Sequence, residues 1–113
     1  MQSRRHRRSS GAVTLSAKAA FLRVAAVVAA VTGVPYRDIV EKAGPGTMRR
    51  PNVRFARTAA IYLTVTVKNV RQMRLARALQ RHRHRIVFAC HAIEEARDQP
   101  SLDELLSRME EML

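Results

Sequence analysis

The sequence is poor in aromatic residues, glycine and cysteine. Phe, Tyr and Trp together make up 4% of the 113 residues, tryptophan is missing, and there are four glycines and one cysteine. With few aromatic and many Ala, Val and Leu residues, helices are favoured over strands. The lone Cys90 excludes an internal disulfide and fits a reducing compartment. A chain of this length forms one small domain with a modest core, too small to add an elaborate catalytic cleft.

Acidic residues are missing from the middle of the chain. The whole chain has a formal net charge of +12 and a pI near 11.6. A folded segment tolerates one-sided repulsion when a polyanion neutralises it, and nucleic acid is the commonest such partner. An anionic membrane surface is the second candidate and an acidic protein the third. Between residues 42 and 93 there is no Asp or Glu, and the twelve Lys and Arg residues are Lys42, Arg49, Arg50, Arg54, Arg57, Lys68, Arg71, Arg74, Arg77, Arg81, Arg83 and Arg85.

Long uncharged apolar runs are also missing. Several arginines near the N-terminus precede an apolar stretch, an arrangement shared with signal peptides. Lys18 and Arg23 interrupt this stretch, however, and only Val24–Val34 is uncharged, which is too short to span a bilayer. We therefore expect a cytoplasmic, nucleoid-associated protein with no membrane partner.

Motifs for catalysis and metal binding are lacking as well. The sequence has no paired-carboxylate site, no phosphate-cradling glycine loop and no nucleophile elbow. His82, His84, His91 and Cys90 are candidate zinc ligands, but Cys90 lies on an apolar helical stripe and its neighbour His91 points elsewhere, so they do not converge on one ion. We expect neither an enzyme nor a metal site or other cofactor.

Apolar spacing predicts an all-α fold, a compact bundle of about six helices. Residues 1–13 are rich in Arg and Ser without apolar periodicity, which predicts a disordered basic tail before a single domain over residues 14–113. The first helix is expected from Leu15 or Ser16 to Thr32, apolar nearly all round and ended by Gly33 at positive φ. A short second helix follows over residues 36–40, and residues 44–52 are expected to form an exposed loop.

The basic region predicts three more helices. Asn52 is expected to cap the third, Val53–Val67, and the fourth covers Val70–Leu79. After a turn at residues 80–82, the fifth helix continues to Arg97, with an apolar stripe at residues 86, 89, 90, 93 and 96. Its charge changes from basic at the start to acidic at the end, opposite to the helix-dipole preference, which indicates that function took precedence there.

A sixth, acidic helix is predicted after Pro100. Ser101 with Glu104 is expected to form a capping box, and a stripe of Leu and Met residues covers one face. We expect this helix to close the core and to face away from nucleic acid; the alternative is an additional role in docking a partner protein.

The fourth and fifth helices are interpreted as a helix-turn-helix, whose second helix enters the major groove by its N-terminal end. Arg83, His84 and Arg85 are then placed to reach base edges, and Arg pairs bidentately with guanine. The alternative is that this region contacts only phosphate, without sequence preference. The candidate phosphate contacts around it are Arg49, Arg50, Arg54, Arg57, Arg71 and Arg74.

Three segments carry a resemblance to a known family. They are RTAAIYL (Arg57–Leu63), ARALQRHRHRIVFAC (Ala76–Cys90) and AIEEARD (Ala92–Asp98). They follow the order of an R-Q-x-A-M-Y-L helix, an F-G-G-R-D-H-T-T-V-x-H-A pattern and a K-I-E-type continuation. Over roughly Val24–Leu113 the chain thus resembles domain IV, the DNA-binding domain of the bacterial replication initiator DnaA. This resemblance implies an all-helical, Trp-repressor-like domain whose helix-turn-helix reads the major groove.

The resemblance also implies roles for residues of the helix-turn-helix. Arg81 matches the family's signature arginine, which adds it to the candidates for base readout. Arg83, His84 and Arg85 take the places of the H-T-T base contacts. The sequence departs from the family here, because D-H-T-T has become residues 82–85, H-R-H-R, and the two glycines are missing.

Outside the helix-turn-helix, the resemblance implies contacts to the DNA backbone and the minor groove. Arg57 and Thr58 match the family's R-Q pair, which touches the backbone. Arg49 or Arg50 falls near the arginine that enters the minor groove from a basic loop.

The family's nucleotide-binding domain is not in this sequence, so the resemblance implies a small transcription regulator. The chain is similar to DnaA-like activators of gene transfer agent clusters in alphaproteobacteria, which work with a sigma-like partner. We expect a sequence-specific regulator that binds double-stranded DNA, with a sigma-like factor or RNA polymerase as a candidate partner; the oligomeric state stays open. The alternatives are a replication-origin modulator, a nonspecific nucleoid protein and an adaptor.

Overall fold

The computed structural model describes residues 2–42 and 50–113, with side chains from Ser16 onward in the first range. Over these ranges every regular element is a helix, and the helices form a compact bundle. This confirms the predicted all-α fold of about six helices. The helices are α1 (Gln2–Thr32), α2 (Tyr36–Val40), α3 (Pro51–Thr66), α4 (Gln72–Ala78), α5 (Arg83–Ala96) and α6 (Pro100–Met112).

Helix α3 lies at the centre of the bundle, packed against α1, α2 and α5. It can be surrounded because its inner residues are small or apolar: Ala56, Ala59, Ala60 and Leu63 are fully buried. Small side chains let neighbouring helices approach closely. Thr64 is buried as well, and its hydroxyl donates to the main-chain oxygen of Ala60 at 2.7 Å, so no polar group is left without a partner there.

Helix α1 ends where the sequence predicts. Gly33 has a φ of 78° and its N–H donates to the oxygen of Ala29 at 2.9 Å. Glycine adopts this left-handed conformation without a Cβ clash, which makes it a common helix end. At its other end, α1 is assigned from Gln2, before the start at Leu15 or Ser16 that apolar spacing predicts; the basic tail over residues 1–13 stays a prediction.

Over residues 16–32, where the side chains are described, one face of α1 is buried and the other is exposed. Phe21, Val24 and Val28 lie in the core, whereas Lys18 and Arg23 are exposed. The alanines on the outer side make the sequence look apolar all round although that side faces solvent. Within the described residues, no helix has the length and apolar character needed to cross a membrane.

The two predicted N-caps are wrong. Helix α3 begins at Pro51 and α6 at Pro100, and the residues in the N-cap positions make no side-chain capping bond. Proline lacks the N–H that a first turn leaves unpaired, and its fixed φ suits that position. Asn52 and Ser101 therefore lie inside the first turn of their helices, not at the cap.

Among the described residues, two other than glycine have a left-handed backbone: Asn69, three residues after α3, with a φ of 55°, and Gln80, directly after the C-cap of α4, with a φ of 52°. After α4, the N–H of Arg81 donates to the oxygen of Ala76 at 2.9 Å and the N–H of Gln80 to that of Arg77 at 3.2 Å. These are the two bonds of a Schellman motif. Asn tolerates this conformation, whereas Gln pays the Cβ penalty of about 1–2 kcal/mol.

Arg97 joins the end of α5 to α6 and α3. Its Nε donates to Asp103 at 2.6 Å and its Nη2 to Glu110 at 2.9 Å. Its Nη1 donates to the Tyr62 hydroxyl at 3.3 Å, and its guanidinium lies 5.9 Å from the centre of that ring. The hydrogen bond that Arg97 donates to Glu110, above all, raises the pKa of Arg97. Together with the buried Leu106 of α6, these contacts hold the acidic helix against the core, as predicted.

Replacing Gln80 by glycine should stabilise the protein. The left-handed strain is relieved, and the greater flexibility of the unfolded chain offsets part of the gain, so we expect the free energy of unfolding to rise by roughly 0.5–1 kcal/mol. Denaturant unfolding of the wild type and Gln80→Gly measures the change. Gln80→Val, which is β-branched, should shift stability the other way. A Gly variant no more stable than the wild type would contradict the strain assigned to this turn.

Replacing Arg97 by methionine should destabilise the protein by about 2 kcal/mol, because several charge-assisted hydrogen bonds are lost and their acceptors are left partly buried. Methionine keeps most of the apolar stem. The control is Glu111→Gln, which changes an exposed acid on α6 and should shift stability by less than about 0.5 kcal/mol. Thermal and denaturant unfolding of both variants give the comparison; equal stabilities would show that Arg97 does not hold α6.

Candidate nucleic-acid interface

The first turn of α5 carries three consecutive exposed basic side chains. Arg83, His84 and Arg85 are all exposed, because the apolar stripe of this helix, including Ile86 and Ile93, faces the core. The helix begins at Arg83, as the sequence predicts. Three of the four candidate base-reading residues are therefore brought together at one helix end and project into solvent, whereas the fourth, Arg81, precedes α5 and is half-buried.

The backbone at this helix end adds to the positive potential. The first N–H groups of a helix lack partners within it, and its dipole is positive there. No acidic residue lies in the first turn of α5, and the N-cap residue His82 makes no side-chain capping bond. The rings of His82 and His84 lie 4.8 Å apart. An anion placed here would meet both the positive side chains and the positive end of the helix dipole.

Helix α4 places a second set of arginines beside this turn. Arg71, Arg74 and Arg77 are exposed, and α4 packs against α5. Arg71 and Arg83 line the same open depression, of about 460 Å³. The starts of the two helices thus form one basic surface, which joins the predicted phosphate contacts Arg71 and Arg74 to the predicted base contacts.

The candidates on α3 separate into two environments. Arg50 and Arg54 are exposed at the beginning of the helix, whereas Arg49 lies outside the described residues. Thr58 is half-buried, and its hydroxyl donates to the oxygen of Arg54 at 2.6 Å. The predicted contact of Thr58 with the DNA backbone would have to compete with this hydrogen bond.

Arg57 has a structural role that the sequence does not reveal. It is only 5% exposed, and its Nη1 donates to the main-chain oxygens of Asp38 at 2.9 Å and Glu41 at 2.6 Å. These bonds tie the end of α2 to α3. Burial lowers the pKa of Arg57, with the charge of Arg81 as the second cause, while Asp38 opposes the shift. Its predicted phosphate contact stays a prediction.

Arg81 and Arg85 line a cleft with Arg57 and with two lysines that sequence reasoning missed, Lys18 and Lys42. Burial lowers the pKa of Arg81, and the charge of Arg85 is the second cause. The sequence contained one signal for Lys18, which interrupts an otherwise apolar helical stretch. Its position beside the α4–α5 connection depends on tertiary packing and could not be read from spacing.

Two exposed apolar side chains adjoin the basic surface. Phe88 is 72% exposed and Met73 is 51% exposed. Phe88 lies one helical turn after His84, off the buried stripe of α5, so periodicity alone could have placed it outside the core. It sets an apolar ring next to the basic first turn.

Cys90 is buried on the inner side of α5. Burial raises the pKa of its thiol; a side-chain hydrogen bond with Gln72 opposes the shift, and Glu94 adds to it. Over the part of the chain that the structure describes, no group of three or more His, Cys, Asp or Glu side chains is arranged to hold a metal ion.

The described surface therefore combines a basic helix start, a neighbouring row of arginines and a basic cleft, with exposed apolar groups at the edge. The acidic Asp103 and Glu110 lie on α6, bonded to Arg97.

Comparisons with known proteins give no match: no protein-family model, no curated protein and no solved structure matches this chain.

Proposed function

We propose that this protein is a transcription regulator that binds a specific sequence of double-stranded DNA, with α4 and α5 acting as a helix-turn-helix. The observation that carries the proposal is the exposed triplet Arg83, His84 and Arg85 on the first turn of α5. A helix-turn-helix protein presents this part of its second helix to base edges. The surrounding arginines supply the sequence-independent attraction to phosphate.

In the proposed complex, the start of α5 enters the major groove, which is wide enough for a helix. Arg83 and Arg85 then donate bidentately to guanine O6 and N7, the commonest specific contact in protein–DNA complexes. Arg71 and Arg74 on α4 contact the phosphates that flank the groove and fix the orientation of α5. The exposed Arg50, at the start of α3, is the described candidate for the adjacent minor groove.

The main alternative is a nonspecific nucleoid protein, which the same net charge would serve. Two features favour specific readout. The basic triplet is fixed on a helix whose other side is buried, so its side chains start from a defined position. Arginine, not lysine, supplies the charge in this triplet, and its planar fork recognises guanine geometry where a lysine offers a point charge. A replication-origin modulator would use the same surface on a different set of sites.

A protein partner is part of the proposal in a narrower sense. The acidic α6 lies outside the proposed DNA-reading surface and is the candidate for contact with a sigma-like factor or RNA polymerase while α4 and α5 are on DNA. The resemblance to DnaA-like activators points to gene transfer agent genes as candidate targets. Activation, as opposed to repression, depends on such a contact.

The test is selection of binding sites from a random duplex pool, followed by affinity measurements at one fixed salt concentration. We expect an enriched site that the wild type binds about a thousandfold or more tightly than bulk DNA. The Arg83→Ala, Arg85→Ala double variant should lose most of this preference, since each bidentate pair contributes about 1–3 kcal/mol of discrimination. Nonspecific binding should weaken less.

The matched control is the Arg23→Ala, Arg108→Ala double variant, which removes the same charge from exposed positions on α1 and α6 and should retain the preference. Several outcomes would overturn the proposal. Equal binding to all sequences with steep salt dependence would indicate a nucleoid protein. Enrichment of initiator-type boxes would indicate a replication modulator, and no DNA binding at all would favour an adaptor.

A further inference from the structure

The cleft beside the α4–α5 connection has a composition that the proposed DNA-reading surface does not explain. It measures about 440 Å³ and lies where α1, the end of α2, α3 and residues 79–85 meet. Among its described lining residues none is acidic. Six of them are basic: Lys18, Lys42, Arg57, Arg81, His82 and Arg85. These residues range from Lys18 to Arg85 in the sequence, so the fold itself brings them together.

The basic groups of the cleft repel one another. The pKa of Arg57 is lowered by burial and then by Arg81, and the pKa of Arg81 is lowered by burial and then by Arg85. The carboxylate of Asp38 opposes the lowering of the pKa of Arg57. The hydrogen bonds of Arg57, however, are accepted by main-chain oxygens at the end of α2 and not by carboxylates. An anion inside the cleft would supply the missing counter-charge.

The floor of the cleft strengthens such an interaction. The rest of the lining is mostly apolar and includes Phe21, Ile39, Val40, Ile61 and Leu79. Apolar surroundings lower the local dielectric constant, and the attraction between opposite charges therefore increases. Arg57 is held in place by two main-chain oxygens before any ligand arrives. A donor fixed in advance loses little conformational entropy when it binds.

We propose that this cleft is a phosphate-binding site, with Lys18, Lys42 and Arg81 as its principal cationic groups. Several guanidinium and ammonium donors around one space match a multiply charged tetrahedral anion better than a single carboxylate. The phosphate belongs either to the backbone of bound DNA or to a small phosphorylated molecule. In both cases it links α1 and the end of α2 to the start of α5, and thereby fixes the connection that positions the proposed DNA-reading residues.

The experiment uses the full chain at low ionic strength, with pyrophosphate as the small probe and a random-sequence duplex as the DNA probe. The variant is Lys18→Gln, Lys42→Gln; both side chains are exposed, so folding should be retained, and circular dichroism checks it. The control is Arg23→Gln, Arg108→Gln, which removes the same charge from exposed positions outside the cleft lining. Titration calorimetry gives the affinity for each probe.

If the phosphate is that of DNA, the lysine variant binds the random-sequence duplex more weakly than the control does, and titrations repeated at rising salt give a salt slope lower by about 1 for each lost contact. If it belongs to a small molecule, pyrophosphate affinity falls about tenfold or more, the equivalent of 1.4 kcal/mol, while duplex affinity matches the control. Either result supports the site. A lysine variant equal to the control with both probes overturns it.

These outcomes are independent of the proposed function. Loss of sequence preference in Arg83→Ala, Arg85→Ala together with an unaltered lysine variant would leave the regulator and remove the cleft site. Cleft-dependent pyrophosphate binding without any DNA binding would leave the cleft site and remove the regulator.

Discussion

The burial of α3 between α1, α2 and α5 is the packing interaction on which the rest of the molecule depends. It is possible because α3 presents small residues such as Ala56, Ala59 and Ala60 to its neighbours, so that three helices can approach it closely. Once α5 lies with its apolar side on α3, its other side must face solvent. The exposure of Arg83, His84 and Arg85 is thus a consequence of core packing and not of loop flexibility.

The same packing decides where charge is tolerated. The acid-free middle of the chain keeps most of its basic side chains outside the core, where water screens their repulsion. Arg57 is the exception, and main-chain oxygens at the end of α2 solvate it. Two acids of α6, Asp103 and Glu110, bind Arg97 at the other end of α5. Charge of opposite sign is thereby separated along α5, and cations accumulate at the end where they cost most.

Local pattern predicted the fold well and the candidate site in part. Apolar spacing identified the buried stripe of α5, and the left-handed preference of glycine placed the end of α1 at Gly33. The predicted N-caps at Asn52 and Ser101 were wrong because Pro51 and Pro100 occupy the first helical positions. The burial of Arg57 was missed because charge patterns assume that arginine is exposed, which holds unless a specific partner lies nearby. The cleft was missed because Lys18 and Arg81 meet only through tertiary packing.

The position of Cys90 has a consequence for redox chemistry. It is the only thiol of the chain, and it lies between α5 and the core with its pKa raised by burial. Alkylating agents and peroxides react with the exposed thiolate, not the buried thiol. We therefore expect labelling of this thiol to require that α5 separates from its neighbours, so that the labelling rate reports the opening of the helix that carries the basic triplet.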